Sequence, residues 1–350
     1  MKRLLCVFFA LLLATSMLAG CSNQTGDGKE TDTSRQDTTA EAGDSGEYKL
    51  GMGVVVNAED SKDTTAQTEA TFAAVITDDA GKIVDCYIDT AQNKMNIADG
   101  IAEKGQAYQT KQELGSEYGM KDISGIGKEW NEQADFFAAF VKGMTKEEVS
   151  AIKTEENDAG TLVAAEEDLY AGCTMGVTEM IQAVAKACGD DQAYAFHSTS
   201  APQLQFAAQT EDSSSKDATD EADGLAAMYT TFAAVAVDDG RVLACCVDQI
   251  EPKISFTMDG TIGDIQYDGS KREQKEDYQM KDVSGIGKEW YEQARAFADF
   301  VVGKTTEEAA NIETQQNDSG MIVAADEDLY AGCTIGIEPL ASVLAKALEK

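Results

Sequence analysis

Short runs of β-type apolar residues around a polar turn open the first half of the chain. Phe72–Thr77 and Ile83–Ile88 flank Asp78-Asp79-Ala80-Gly81, a composition that closes hairpins. The second half repeats it as Phe232–Val237, Asp238-Asp239-Gly240 and Val242–Val247. Leu50–Val56 and Gln203–Ala208 read as the strands preceding each hairpin. Trp130, Ala134, Phe137 and Val141 then fall at i, i+4, i+7 and i+11, one face of a helix. Trp290, Ala294, Phe297 and Val301 repeat the stripe. Gly143 and Gly303 suit the left-handed position that ends such helices. Thr145 with Glu148, and Thr305 with Glu308, form capping boxes for a short following helix. A last helix is expected from about Glu179 in one half and Pro339 in the other. The class is α+β: an antiparallel sheet with helices packed against it.

The recurrence is close. Met120–Ala187 aligns without gaps to Met280–Ala347 at a constant offset of 160, with 41 of 68 positions identical. Thr71–Val75 matches Thr231–Val235 at the same offset. The chain therefore reads as two tandem copies of one domain, 48–188 and, after a linker, the remainder of 189–350. Residues 189–223, with TEDSSSKDATDEADG, read mainly as solvated loop or linker.

Residues 1–20 place Lys2 and Arg3 before the apolar run Leu4–Leu13, too short for a stable span and right for a signal peptide. The run ends in Leu18-Ala19-Gly20-Cys21, which resembles the lipobox of bacterial lipoproteins. That resemblance implies acylation of Cys21, cleavage before it, and an extracytoplasmic protein held at the cell membrane by lipid. Residues 22–47 hold no aliphatic side chain larger than Ala, so 21–47 reads as a disordered tether. The chain carries 63 acids against 28 bases, a net charge of -35. Phosphate backbones need clustered Lys and Arg, so nucleic acid is not an expected partner.

Catalytic groups are scarce. The one histidine, His197, lies in the interdomain segment, and no GxSxG elbow, P-loop or zinc-ligand spacing occurs. The acidic hairpin turn lacks the alternating oxygen ligands of a calcium loop. No spacing picks a catalytic pair out of the 63 carboxylates. Cys86 and Cys173 recur as Cys245 and Cys333. In an exported protein one bridge per domain, Cys86–Cys173 and Cys245–Cys333, is possible, against their being small buried residues. Ser124-Gly125-Ile126-Gly127-Lys128, recurring as Ser284–Lys288, places glycines before the Trp helix, as an anion-holding loop or as a simple turn and cap.

The most informative strip is Asp168-Leu169-Tyr170-Ala171-Gly172-Cys173-Thr174, recurring as Asp328-Leu329-Tyr330-Ala331-Gly332-Cys333-Thr334 before an apolar helix. It resembles the end of the FMN-binding domain found in flavin-bearing subunits of respiratory sodium pumps and in surface electron-transfer lipoproteins. That family reads Asp, two free positions, Ser or Thr, Gly, Ala, Thr. Ala171 and Ala331 depart from it, as do Cys173 and Cys333. The resemblance implies an FMN cofactor joined through its phosphate to Thr174 and Thr334 by a flavin transferase that reads Asp168 and Asp328. Gly172 and Gly332 would then give the phosphate room, and Tyr170 and Tyr330, or Trp130 and Trp290, are candidate surfaces for the ring, although their helical spacing reads both Trp residues as core. An electron carrier with redox partners is then expected rather than a substrate-specific enzyme. The alternative is a non-redox surface module that binds a ligand or partner without flavin.

Overall fold

The computed structural model describes residues 46–349; the expected signal peptide, Cys21 and most of the tether lie outside the described residues. The first half runs β1 (Gly46–Asn57), β2 (Thr65–Asp78), β3 (Ile83–Ala98), β4 (Ile101–Ala102), α1 (Lys111–Leu114), α2 (Trp130–Phe140), α3 (Lys146–Ser150), β5 (Thr154–Glu156), β6 (Leu162–Ala164), α4 (Glu167–Tyr170) and α5 (Thr178–Cys188). The second half runs β7 (Tyr194–Ser198), β8 (Gln203–Glu211), β9 (Gly224–Ala227), β10 (Tyr229–Asp238), β11 (Arg241–Ile250), β12 (Lys253–Phe256), β13 (Ile262–Gln266), α6 (Lys271–Gln274), α7 (Trp290–Val301), α8 (Thr306–Ala310), β14 (Thr314–Gln316), β15 (Ile322–Ala324), α9 (Glu327–Gly332) and α10 (Glu338–Leu348). Sheets and helices are both present, so the fold is α+β.

The expected strands form but run longer: β3 has 16 residues, and β2 pairs with it antiparallel from Thr65↔Asn96 to Thr77↔Ile83. The first sheet has the order β4-β3-β2-β1-β7. Its β7 comes from the segment expected to be mainly linker, and pairs Tyr194–Ser198 against Leu50–Gly46 of β1. His197 lies on this strand, exposed, with Nδ1 3.0 Å from Glu47 Oε1. The second half has β11-β10-β8 and a separate β13-β12-β9 sheet.

One face of each main sheet packs its own helices. The helical stripe of α2 is buried with Cys86, Cys173, Val177 and Val184 in one core, and the stripe of α7 with Cys245, Cys333, Ile337 and Leu344 in another. Gly51 and Gly53 of β1 bring α5 close, since a Cβ at either would overlap the carbonyls of Ala187 and Ala183. The opposite faces meet each other: Leu50, Phe72, Ile76, Phe206, Phe232 and Ala244 share a third core. The Phe72 and Phe232 rings lie 4.8 Å apart there, tilted by 45°. Burying two sheet faces against each other removes apolar area that neither half would hide alone. Arg272 Nη2 and Asp190 Oδ2 pair at 3.1 Å across this junction, both nearly fully buried.

Candidate functional site

Thr174 and Thr334 each follow a short helix and precede a long one by four residues. In the first half Cys173 N–H donates to Leu169 O at 2.9 Å, and Val177 N–H donates to Leu162 O at 3.1 Å, tying the strip to β6. The second half repeats this with Cys333 to Leu329 at 2.8 Å and Ile337 to Ile322 at 3.0 Å. Position and orientation of each Thr are set by one buried amide. Gln133 Oε1 accepts from Thr174 N–H at 2.9 Å and from its hydroxyl at 3.3 Å. Gln293 Oε1 does the same for Thr334 at 2.9 and 3.2 Å. The other end of each amide holds the glycine loop: Gln133 Nε2 donates to Ser124 Oγ and to Lys128 O, both at 3.2 Å. Gln293 Nε2 donates to Ser284 Oγ at 3.2 Å and to Lys288 O at 3.1 Å.

That loop is a turn and cap. The Glu129 carboxylate caps α2 and accepts Met120 N–H at 2.8 Å, and Glu289 does so for Met280 at 2.8 Å. A carboxylate therefore already occupies the helix N-terminus at which the glycine loop was considered for an anion.

Loop, strip and Trp helix border an open cavity in each half. The second-half cavity has a volume of about 640 Å³ and is bordered by Lys271, Ser284, Trp290, Gln293, Tyr330 and Thr334, among others. In the first half two lobes of about 290 and 390 Å³ share Met120 and Met175; Trp130 and Lys111 border one, and Tyr170, Gln133 and Thr174 the other. Such volumes suit a small-molecule ligand. Trp130 and Trp290 belong to the cores and also border the cavities. Tyr170 and Tyr330 stand 41% and 39% exposed at the rims.

A second repeated feature escaped the sequence reading. Lys111 and Lys271 are buried at the start of α1 and α6, and each ammonium sits over two rings. Lys111 Nζ lies 5.1 Å from Tyr118 and 5.5 Å from Trp130; Lys271 Nζ lies 4.9 Å from Tyr278 and 5.3 Å from Trp290. Each pairs with a carboxylate from a different place, Glu69 of β2 at 2.6 Å and Glu251 after β11 at 2.7 Å. The legible signal was a capping box at the same offset, Thr110 with Glu113 and Ser270 with Glu273. The two glutamines had only their offset and their place beside an apolar stripe.

Other expected residues fall differently. Asp168 and Asp328 are exposed, and neither is among the residues that border the cavities. Gly172 and Gly332 serve packing: a Cβ on Gly172 would overlap the Phe136 ring, and one on Gly332 would sit 3.0 Å from Ala296 Cβ. The possible disulfides do not form. Cys86, Cys173, Cys245 and Cys333 are buried free thiols, packed as small apolar side chains in the two helix-side cores. Burial pushes the Cys173 thiol up to about 11 and that of Cys333 up to about 12, away from the thiolate that disulfide chemistry needs.

The chain is similar to a protein of Desulfitobacterium hafniense named chlorophenol reductase, at 34% identity over 119 residues, which cover 28% of this chain and 36% of that relative. The chain thus spans little more than a third of the relative's length. No family model matches the chain, and no solved structure matches it.

Proposed function

We propose that this chain is a lipid-anchored extracytoplasmic flavoprotein, built from two copies of one FMN-binding-like domain, that carries electrons and does not transform a specific substrate. The observation that carries the reading is the repeated site. Thr174 and Thr334, the positions at which the family resemblance puts the flavin phosphoester, border two cavities of ligand size and are held by equivalent buried amides. Similarity to a protein named as a reductase supports a redox role. The anchor at Cys21 and the tether 21–47 are part of the proposal and rest on the lipobox-like segment.

The residues present fit a flavin. Trp, Tyr and Met side chains supply flat apolar walls, Gln133 or Gln293 fixes the Thr, and Lys111 or Lys271 supplies a positive charge beside the aromatic wall. Bound flavin supplies reversible one- and two-electron chemistry. The protein's part is to orient the Thr hydroxyl, exclude water along the Trp side and balance charge through the Lys–Glu pair. Asp168 and Asp328 are accessible to an attaching enzyme.

The test is co-expression of the mature chain with a flavin transferase, followed by intact mass and a visible spectrum. A yellow protein with two FMN units is expected, one of them lost in Thr174→Ala and the other in Thr334→Ala. A protein that gains no mass and stays colourless with added FMN overturns the proposal.

A further inference from the structure

Resting on the flavin reading above, we propose that the two cavities are electrostatically unequal. The second-half cavity is the preferred site for a planar ligand bearing negative charge, and Asp60 and Glu179 set the difference. The cation is common to both halves, as Lys111 in one and Lys271 in the other. The surplus carboxylates are not. Asp60, Glu69 and Glu179 all border the Lys111 lobe of the first-half cavity; Glu69 is the partner of Lys111, which leaves Asp60 and Glu179 in excess. Among the described residues bordering the second-half cavity stands Lys271 and no Asp or Glu. At the 160-residue offset Pro339 replaces Glu179, and Asp220, the counterpart of Asp60, does not border the second-half cavity. Glu251 pairs with Lys271 at 2.7 Å as Glu69 does with Lys111 at 2.6 Å, so each cation is matched and only the surplus carboxylates make the difference.

Like charges facing one small cavity oppose entry of an anion and also make any negative charge gained on reduction less favourable. Asp60 and Glu179 are exposed, so their effect is attenuated by water and ions but acts on any ligand in the adjoining lobe. Two flavins in such a chain would differ in both affinity and potential, and electrons would settle in the second half.

The chain has two tryptophans, Trp130 and Trp290, one beside each cavity, so each cavity can be read alone. The protein is made without flavin transferase as Trp290→Phe, which leaves the first-half reporter, and as Trp130→Phe, which leaves the second. Each is titrated with FMN and with lumiflavin, which lacks the ribityl phosphate, and quenching is recorded. At low salt FMN is expected to bind the second-half cavity about tenfold more tightly, the scale of two partly screened charges. The gap is expected to shrink at high salt, with lumiflavin, and when Asp60→Asn and Glu179→Gln are added to the Trp290→Phe chain. Both added changes are on the surface, and circular dichroism checks that the fold is kept. Equal FMN affinities at low salt, or a gap that survives neutralisation of Asp60 and Glu179, overturn the inference while leaving flavin binding intact. Quenching by neither flavin at either tryptophan overturns flavin binding and this inference together.

Discussion

Replacing Gln293 by Leu removes the one side chain that joins the Thr334 strip to the glycine loop, at nearly constant volume. Four hydrogen bonds to nitrogen or oxygen partners disappear, those to Thr334 N–H at 2.9 Å, Thr334 Oγ1 at 3.2 Å, Ser284 Oγ at 3.2 Å and Lys288 O at 3.1 Å. Each contributes roughly 1 kcal/mol net, more where the orphaned group stays dry. Thr334 and Ser284 are half-buried at the cavity, so water recovers part of the loss, and Leu in a fully buried position returns about 1 kcal/mol of apolar burial. The balance is a destabilisation of about 2–3 kcal/mol, which for a domain of this size lowers Tm by roughly 5–10 °C. Thermal unfolding followed by circular dichroism measures that shift. Hydrogen exchange adds a local reading, because the Thr334 amide loses its acceptor and is expected to exchange at least tenfold faster. The reasoning fails if Gln293→Leu melts within a degree of the parent and Thr334 exchanges at the parent's rate. Gln133→Leu is the internal replicate, since the same four partners recur in the first half.

Two further consequences concern packing and pH. Gly172→Ala is expected to cost about 1–3 kcal/mol because the Phe136 ring must move, whereas Gly332→Ala, facing Ala296 at 3.0 Å, changes stability by under about 1 kcal/mol. Phe136→Ala by itself rebuilds the second-half pairing of Ala against Gly, so a double-mutant cycle of Phe136→Ala with Gly172→Ala by urea unfolding should show a coupling that a strained backbone at Gly172 would not give. Asp248 is buried, and desolvation outweighs the nearby Arg272 to push its carboxyl up to about 6. Its contribution is present below the unfolded value near 4 and is lost as pH rises through 6. Asp248→Asn should gain on the parent across that window by on the order of 3 kcal/mol. A difference in Tm between the two proteins that stays flat from pH 4 to 7 refutes this assignment.

Local signals were readable wherever chemistry acts over a few residues. The hairpin turns, the capping boxes at Thr145 and Thr305 and the apolar stripes of α2 and α7 all form where composition and period put them. Strand ends were not readable, because β2 and β3 continue through Thr and Gln positions that only cross-strand pairing stabilises. The packing demand on Gly172 was not readable for a similar reason: it comes from Phe136, which is 36 positions away in the chain and adjacent in space.

By itself the sequence determined the recurrence at 160 residues, the order of elements within each half, and the strip that ends in Thr174 and Thr334. Those are properties of neighbours along the chain, or of two segments compared letter by letter. Only the tertiary structure decided that Gln133 and Gln293 hold those threonines, that Lys111 and Lys271 stand beside the tryptophans, and that the two main sheets bury a common core. A buried amide or ammonium earns its place through partners contributed by distant segments. The carboxylate that answers each lysine comes from β2 in one half and from beyond β11 in the other. No local pattern encodes such a pairing, because burial penalises an unmatched charge whatever the sequence distance to its match.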